Sequence, residues 1–144
     1  MVLLLNSIPN LGFSLEKNIF FSTKYNEVNI RNGPGTNHLI LFKVLQKGYP
    51  VKAVGNNENW REIQDYKNRT GWISKSQLSK EKFGILLSNN QDLHILPKKD
   101  SKKIAVLNKN VLIKIVSCRE KWCKIEIDGI TGWLNKYSFW GENN

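Results

Sequence analysis

Few side chains in this sequence are capable of covalent or acid–base chemistry: two cysteines, Cys118 and Cys123, and two histidines, His38 and His94. A thiol nucleophile needs a free, low-pKa cysteine beside a histidine base. Here only Arg119 to Trp122 separate the cysteines, close enough for them to pair with each other. Neither histidine lies in a motif with Ser, Cys or a carboxylate at a meaningful spacing. No HExxH, CxxC, P-loop or paired-carboxylate pattern occurs, so neither metal-assisted hydrolysis nor phosphoryl transfer is indicated. The reading is of a protein that is not an enzyme, with no cofactor and no metal. Recognition chemistry is better represented. Five Trp in 144 residues is a high count, and each indole offers a large stacking surface with one polar handle. Arg31 offers a planar fork to a carboxylate, or else braces the Asn32–Gly35 turn through its carbonyls. Gly33 and Gly35 are read as residues that permit positive φ.

The elements that position these residues follow from an internal repeat. Asn59-Trp60-Arg61-Glu62-Ile63 resembles Lys121-Trp122-Cys123-Lys124-Ile125 at an offset of 62, and Thr70-Gly71-Trp72-Ile73 resembles Thr131-Gly132-Trp133-Leu134 at 61. Upstream, Glu27 to Ile30 matches Asp92 to Ile95, and Leu39 to Phe42 matches Ile104 to Leu107, both at 65. On that alignment His94 stands where the first unit has Asn29. The drift in offset is what small loop insertions produce. The chain is therefore divided into residues 1–23, a tail or truncated signal peptide, and two units, 24–80 and 81–144, with a short joint near Lys80 to Phe83.

Within each unit the pattern is β. Short alternating runs lie between Gly, Asn, Asp and Pro clusters, as an all-β barrel or sandwich requires. Trp122 to Ile127 alternates strictly, Asp128-Gly129 marks a turn, and Lys75 to Leu78 fits one short 3₁₀ turn. Alternation puts Trp122 on a face with Lys124 and Glu126, opposite Cys123, Ile125 and Ile127. Trp60 likewise shares a face with Glu62, opposite Ile63. These Trp residues therefore cover either the other unit or a ligand. A unit of about 60 residues is marginal alone, which favours packing between units or a disulfide.

The run Val28-Asn29-Ile30-Arg31-Asn32-Gly33-Pro34-Gly35-Thr36, followed by Lys47 to Val51, Trp60 to Ile63 and Gly71-Trp72-Ile73, resembles bacterial SH3-like domains. The second unit resembles them through Trp122 and Gly132-Trp133, but Leu96-Pro97-Lys98-Lys99-Asp100 departs from the Arg-x-Gly-Pro loop. The closing Phe139-Trp140-Gly141 and the two cysteines look like the tandem exported form. The resemblance implies an all-β chain of two tandem small SH3-like barrels, packed together or joined by a short linker. It also implies a non-catalytic binding module of the cell envelope, recognising wall peptide or peptidoglycan, or else a protein peptide. A groove in this class lies between the loop after the first strand and the loop joining the next two. Arg31, Asn32, Asn59, Trp60, Tyr66 and Trp72 would line it on the first unit, and the altered loop should change or abolish it on the second.

The cysteines also fit a local geometry. With Glu120-Lys121 as a two-residue turn, Arg119 pairs with Trp122, and Cys118 falls opposite Cys123 as a non-hydrogen-bonded pair, within reach of a disulfide. Simple alternation puts Ile113 and Ile115 on the face opposite Cys118, so a bulge near Val116 or Ser117 is required.

Twenty-two Lys and Arg face twelve Asp and Glu, for a formal charge of +10. Eighteen of the cations are Lys, and there are eighteen Asn, the composition an AT-rich coding sequence yields by default. Residues 80–124 nonetheless carry eleven cations against four acids, enough for a weak, salt-sensitive contact with an anionic polymer or lipid. A disulfide implies an oxidising compartment, so nucleic acid is not an expected partner and export to the periplasm is. Val2 to Leu5 is apolar, and Gly12-Phe13-Ser14 has small residues at both ends of a cleavage triplet, but Asn6 to Asn10 interrupt and no basic segment precedes. The alternatives are a signal peptide starting upstream or a plain tail. A structural adaptor that binds another protein is the competing function.

Overall fold

Alternating apolar residues with turns every few positions give fourteen short strands in the computed structural model, which describes residues 18–142. The first unit contains β1 (Phe20–Thr23), β2 (Val28–Arg31), β3 (Ile40–Val44), β4 (Pro50–Asn57), β5 (Trp60–Gln64), β6 (Thr70–Ser74), a 3₁₀ turn (Lys75–Gln77) and β7 (Leu78–Ser79). The second contains β8 (Phe83–Leu86), β9 (Gln91–His94), β10 (Lys103–Leu107), β11 (Leu112–Arg119), β12 (Trp122–Ile127), β13 (Ile130–Asn135), a 3₁₀ turn (Lys136–Ser138) and β14 (Phe139–Trp140). The sheet orders are β3-β2-β6-β5-β4-β1-β7 and β10-β9-β13-β12-β11-β8-β14. Adding seven to each label of the first gives the second, so the repeat seen in the sequence is a repeat of topology. Each sheet wraps around its own core. Val28, Ile30, Val44, Val51, Ile63 and Ile73 fill the first, and Leu86, Leu93, Ile113, Ile115, Ile125 and Leu134 the second.

The tail assigned to residues 1–23 is shorter than expected at its C-terminal end. Phe20–Thr23 are β1, paired with both β4 and β7. Their signal is masked because two polar residues are buried. Ser22 Oγ donates to Glu81 O at 2.8 Å; Thr23 Oγ1 donates to Gln46 O at 2.7 Å and accepts from Tyr49 N at 3.0 Å. Residues 1–17, where the signal-peptide question lies, are outside the described residues.

The units pack directly on one another. Ile85 and Trp140 of the second unit join the core of the first. Trp140 meets Phe20 edge to face, with centroids 4.9 Å apart. Lys80–Lys82 are the whole connection between β7 and β8.

The glycine of each Gly-Trp anchor has a packing reason. A Cβ on Gly71 would strike the Ile30 side chain, and one on Gly132 would lie 2.6 Å from Leu93 Cγ. The close approach lets β2 cross β6, and β9 cross β13, over a filled core.

Cys118 and Cys123 form a disulfide with Cα atoms 4.0 Å apart. They face each other next to the Arg119–Trp122 pair that closes the hairpin, and the register shifts between Ile115 and Ser117, at the bulge the alternation required. The first unit has Asn56 opposite Arg61 at these positions. Arg61 instead lays its guanidinium over the Phe21 ring, 4.3 Å from the centroid. A Cys118→Ser/Cys123→Ser variant is expected to lose about 2 kcal/mol, the chain-entropy value for so small a loop. Denaturant unfolding measures it, and the loss should appear in the second unit while Trp60 and Trp72 report an unchanged environment.

Candidate functional site

On the first unit β6 lies between β2 and β5, and a row of outward side chains crosses all three. Arg31 is opposite Trp72, which is opposite Glu62. Trp60, opposite Ser74, lies diagonal to Trp72 on the same face. Both indoles are half-buried on this outer face, and the tryptophan that packs against the core of the first unit from the second is Trp140. Arg31 Nη1 donates to Thr36 O at 3.0 Å and His38 O at 2.9 Å, so its guanidinium braces the β2–β3 loop. Asn32 opens that loop, its N–H donating to Leu39 O at 2.9 Å, and Asn59 lies in the β4–β5 turn, its carbonyl accepting from Lys75 N. Both are exposed. Gly33 does not take positive φ. It is a glycine because the His38 ring lies directly over it.

Tyr66 is not part of this group. It follows the far end of β5, about 20 Å along the strand from Trp60. There it lies beside Tyr49, centroids 6.0 Å apart, and donates to Asn110 Oδ1 of the second unit at 3.3 Å. Its neighbours form a buried polar network that the sequence reading missed. Asp65 is 1% exposed. Its Oδ1 accepts from Lys67 N and Arg69 N, and its Oδ2 from Tyr49 Oη and Arg69 Nε, at 2.7 to 3.0 Å. Burial, reinforced by the Asp65 charge, raises the Tyr49 phenol above its ordinary value of 10.0. Burial acts to lower Arg69, but its hydrogen bonds to Asp65 and Tyr49 and the charge of Asp65 together outweigh this and raise it.

The second unit corrects the alignment. His94 pairs with Trp133 as Arg31 pairs with Trp72, so His94 replaces Arg31, not Asn29. The two offsets, 63 and 65, differ by two residues. A slip of two along a strand keeps every side chain on its face, so the hydrophobic pattern cannot tell them apart. The role is kept as well: His94 Nδ1 lies 3.3 Å from Ser101 O, the counterpart of His38 O. The imidazole is buried and meets Trp122 edge to face at 5.3 Å.

A compact imidazole in place of a guanidinium, and a Lys-rich loop in place of Asn32 to Thr36, alter the groove of the second unit without abolishing it. A cavity of about 390 Å³ opens there, lined by Asp92, His94, Lys99, Lys103, Trp122 and Asn135, among others. Lys103 Nζ sits 2.9 Å from Asp92 Oδ2 at its rim. One aromatic wall, two cations, a carboxylate and an amide suit a polar ligand with an anionic group and a stacking face. Of these residues the sequence singled out only Trp122 as half-exposed. The Gly-Trp anchors, at an offset of 61, would put Arg31 on Asp92, so the sequence carries no signal that places the others. Among the described residues no cluster of three His, Cys, Asp or Glu suits a metal ion, and no helix is long and apolar enough to cross a membrane.

Comparison with known proteins agrees with this architecture. The family described as "Bacterial SH3 domain" matches residues 24–80 and again 88–141. A Bacillus subtilis (strain 168) protein named "Putative N-acetylmuramoyl-L-alanine amidase YrvJ" is 22% identical over 126 residues, covering 75% of this chain. This chain spans only 24% of that relative's length. Solved structures with looser likeness include NlpC2 from Trichomonas vaginalis, at 15% identity and a TM-score of 0.41 over 90% of this chain and 50% of that one. Another is an NlpC/P60 family protein from Bacillus cereus ATCC 10987, at 12% identity and 0.37 over 87% and 57%.

The Tyr49 network generates a pH dependence. A phenol whose folded pKa lies above its unfolded value stabilises the fold fully below pH 10. That contribution is lost as pH rises, because the unfolded chain releases the proton first. Stability should therefore fall steeply above pH 10. Tyr49→Phe should flatten the decline, as read from denaturation midpoints between pH 8 and 11.

Proposed function

This chain belongs to the bacterial SH3 domain family, and from that premise we propose that it is a non-catalytic binding module of the cell envelope that recognises wall peptide or peptidoglycan. The observation that carries this reading is the cavity at Trp122, His94 and Lys99. It couples a stacking face to cations able to hold a stem-peptide carboxylate. The name of the Bacillus subtilis relative points to the same polymer, and the disulfide fits an extracytoplasmic, periplasm-like compartment. Catalysis is disfavoured because the cysteines are tied to each other and the His94 imidazole is buried against a carbonyl and Trp122. The outer face of the first unit, with Arg31, Asn32, Asn59, Trp60 and Trp72, is read as a shallower companion surface, since Arg31 is committed to its loop. The lysines of 80–124 are spread over exposed loops and strands and would add only diffuse, salt-sensitive attraction.

A protein-binding adaptor is the second reading. It is favoured by edge strand β3 and its flank, where Leu39, Ile40 and Leu41 are 74%, 44% and 53% exposed.

Retention on purified sacculi separates the readings. Trp122→Ala and Lys99→Ala are each expected to weaken retention, Trp122→Ala by about tenfold, the value of a lost aromatic contact plus its buried area. Melting temperatures should change little. Loss on Trp60→Ala or Arg31→Ala but not Trp122→Ala would move the site to the first unit. Retention unchanged in all four would overturn the wall reading and favour the adaptor.

A further inference from the structure

The connection from β5 to β6 differs between the units. Gln64 and Thr70 pair across a five-residue loop, whereas in the second unit the ladder continues to Ile127 opposite Ile130 and closes in the two-residue turn Asp128–Gly129. Asp65 thus stands where the second unit has Ile127. An apolar residue closes the same connection there, so the pairing of buried Asp65 with part-exposed Arg69 is not required by the barrel. What it does is hold two cations in place. Asp65 Oδ1 fixes the loop backbone at Lys67 and Arg69, and Oδ2 fixes the Arg69 guanidinium, which stacks 4.0 Å above the Phe42 ring.

Beside this loop is a cavity of about 470 Å³ lined by Lys43, Gln46, Tyr49, Tyr66, Lys67 and Arg69, with Val44 and Leu45. Three cations line it and no acid does. Asp65 neutralises one of them from beneath, with every carboxylate oxygen occupied. Lys43 also touches Glu27 at 3.0 Å, but both side chains are more than half exposed, and such a pair is worth little and is readily displaced. A net charge near +2 remains, facing outward, with the guanidinium preorganised and two ammonium groups free to adjust.

We propose that this cavity is an anion site for a phosphate-bearing ligand. A phosphate monoester carries about −1.5 to −2 at neutral pH, which matches the charge left over. The two ammonium groups provide point charges for its oxygens, and Arg69, whose Nε and Nη2 are held by Asp65, adds its remaining guanidinium edge. The site is on the opposite end of β5 from Trp60 and on a different unit from the Trp122 cavity. It therefore stands or falls independently of the wall reading.

The test is a titration of the whole chain, ¹⁵N-labelled, with inorganic phosphate at constant ionic strength. Saturable shifts are expected at the amides of Lys67, Asn68 and Arg69. Lys43→Ala/Lys67→Ala should weaken the dissociation constant by about tenfold or more with the rest of the spectrum intact, since neither side chain is buried. Lys114→Ala/Lys121→Ala removes the same charge from exposed positions elsewhere and should leave it within about twofold. Shifts that rise linearly without saturation, or equal weakening in both double variants, would overturn the proposal. Two further arms identify the source. Sedimentation with phosphatidic acid vesicles that is lost in Lys43→Ala/Lys67→Ala assigns the phosphate to a lipid headgroup. Saturable binding of glycerol phosphate without vesicle binding assigns it to a soluble or polymer-borne ester.

Discussion

The β2–β3 hairpin joins the rest of its barrel through one residue pair between β2 and β6, Arg31 with Trp72, and the second unit repeats this with His94 and Trp133. The crossing is possible only because the residue before each Trp is a glycine, which lets the core side chain of the crossing strand sit against bare backbone. The outward aromatic face of each unit is arranged around this junction. Below it lie Ile30 and Leu93, fully buried. Above it lie the indoles, the bracing Arg31 or His94, and the loop those side chains hold. A substituent on either glycine would lift the hairpin off its core and carry the groove wall with it.

Around this shared junction the two units have diverged by local substitutions with distinct physical consequences. One hairpin is closed covalently by Cys118 and Cys123; in the other, Asn56 stands opposite Arg61, whose guanidinium lies over Phe21 of β1. One β2–β3-type loop is braced by a long cation, the other by a compact imidazole that leaves room beside Trp122. One strand connection is a tight turn, the other a loop built around a buried carboxylate. None of these changes disturbs the strand order. A small barrel tolerates them because they lie at strand ends and in loops, where side chains answer to solvent as much as to the core. Fold and surface chemistry are therefore separable here: the same ladder carries an aromatic cavity on one unit and a basic one on the other.

The two units are also interdependent. Ile85 and Trp140 complete the core of the first unit although they belong to the second. A barrel of about 60 residues buries too little of its surface to be secure alone, and the direct packing meets that need. The Trp that performs this task is the one outside the repeat.

The sequence alone determined the strand alternation, the two-fold repeat, the outward face of Trp60 and Trp122, the hairpin that joins the cysteines, and the bulge beside them. All of these follow from short-range rules: period-two burial, turn residues and the reach of a disulfide. Tertiary structure decided what depends on distance between elements. Whether Arg31 braces or binds rests on where two carbonyls of its loop sit. Whether His94 matches Arg31 or Asn29 rests on a slip of two residues, invisible to a pattern of that period. The family resemblance puts Tyr66 in a groove with Trp60, but an extended strand carries it to the other end of the barrel. Phe20–Thr23 fall outside the stretch that carries the family resemblance, and only the partners Glu81, Gln46 and Tyr49 make the burial of Ser22 and Thr23 favourable. Cavities form where loops from separate strands converge, and a single sequence records the loops without recording their convergence.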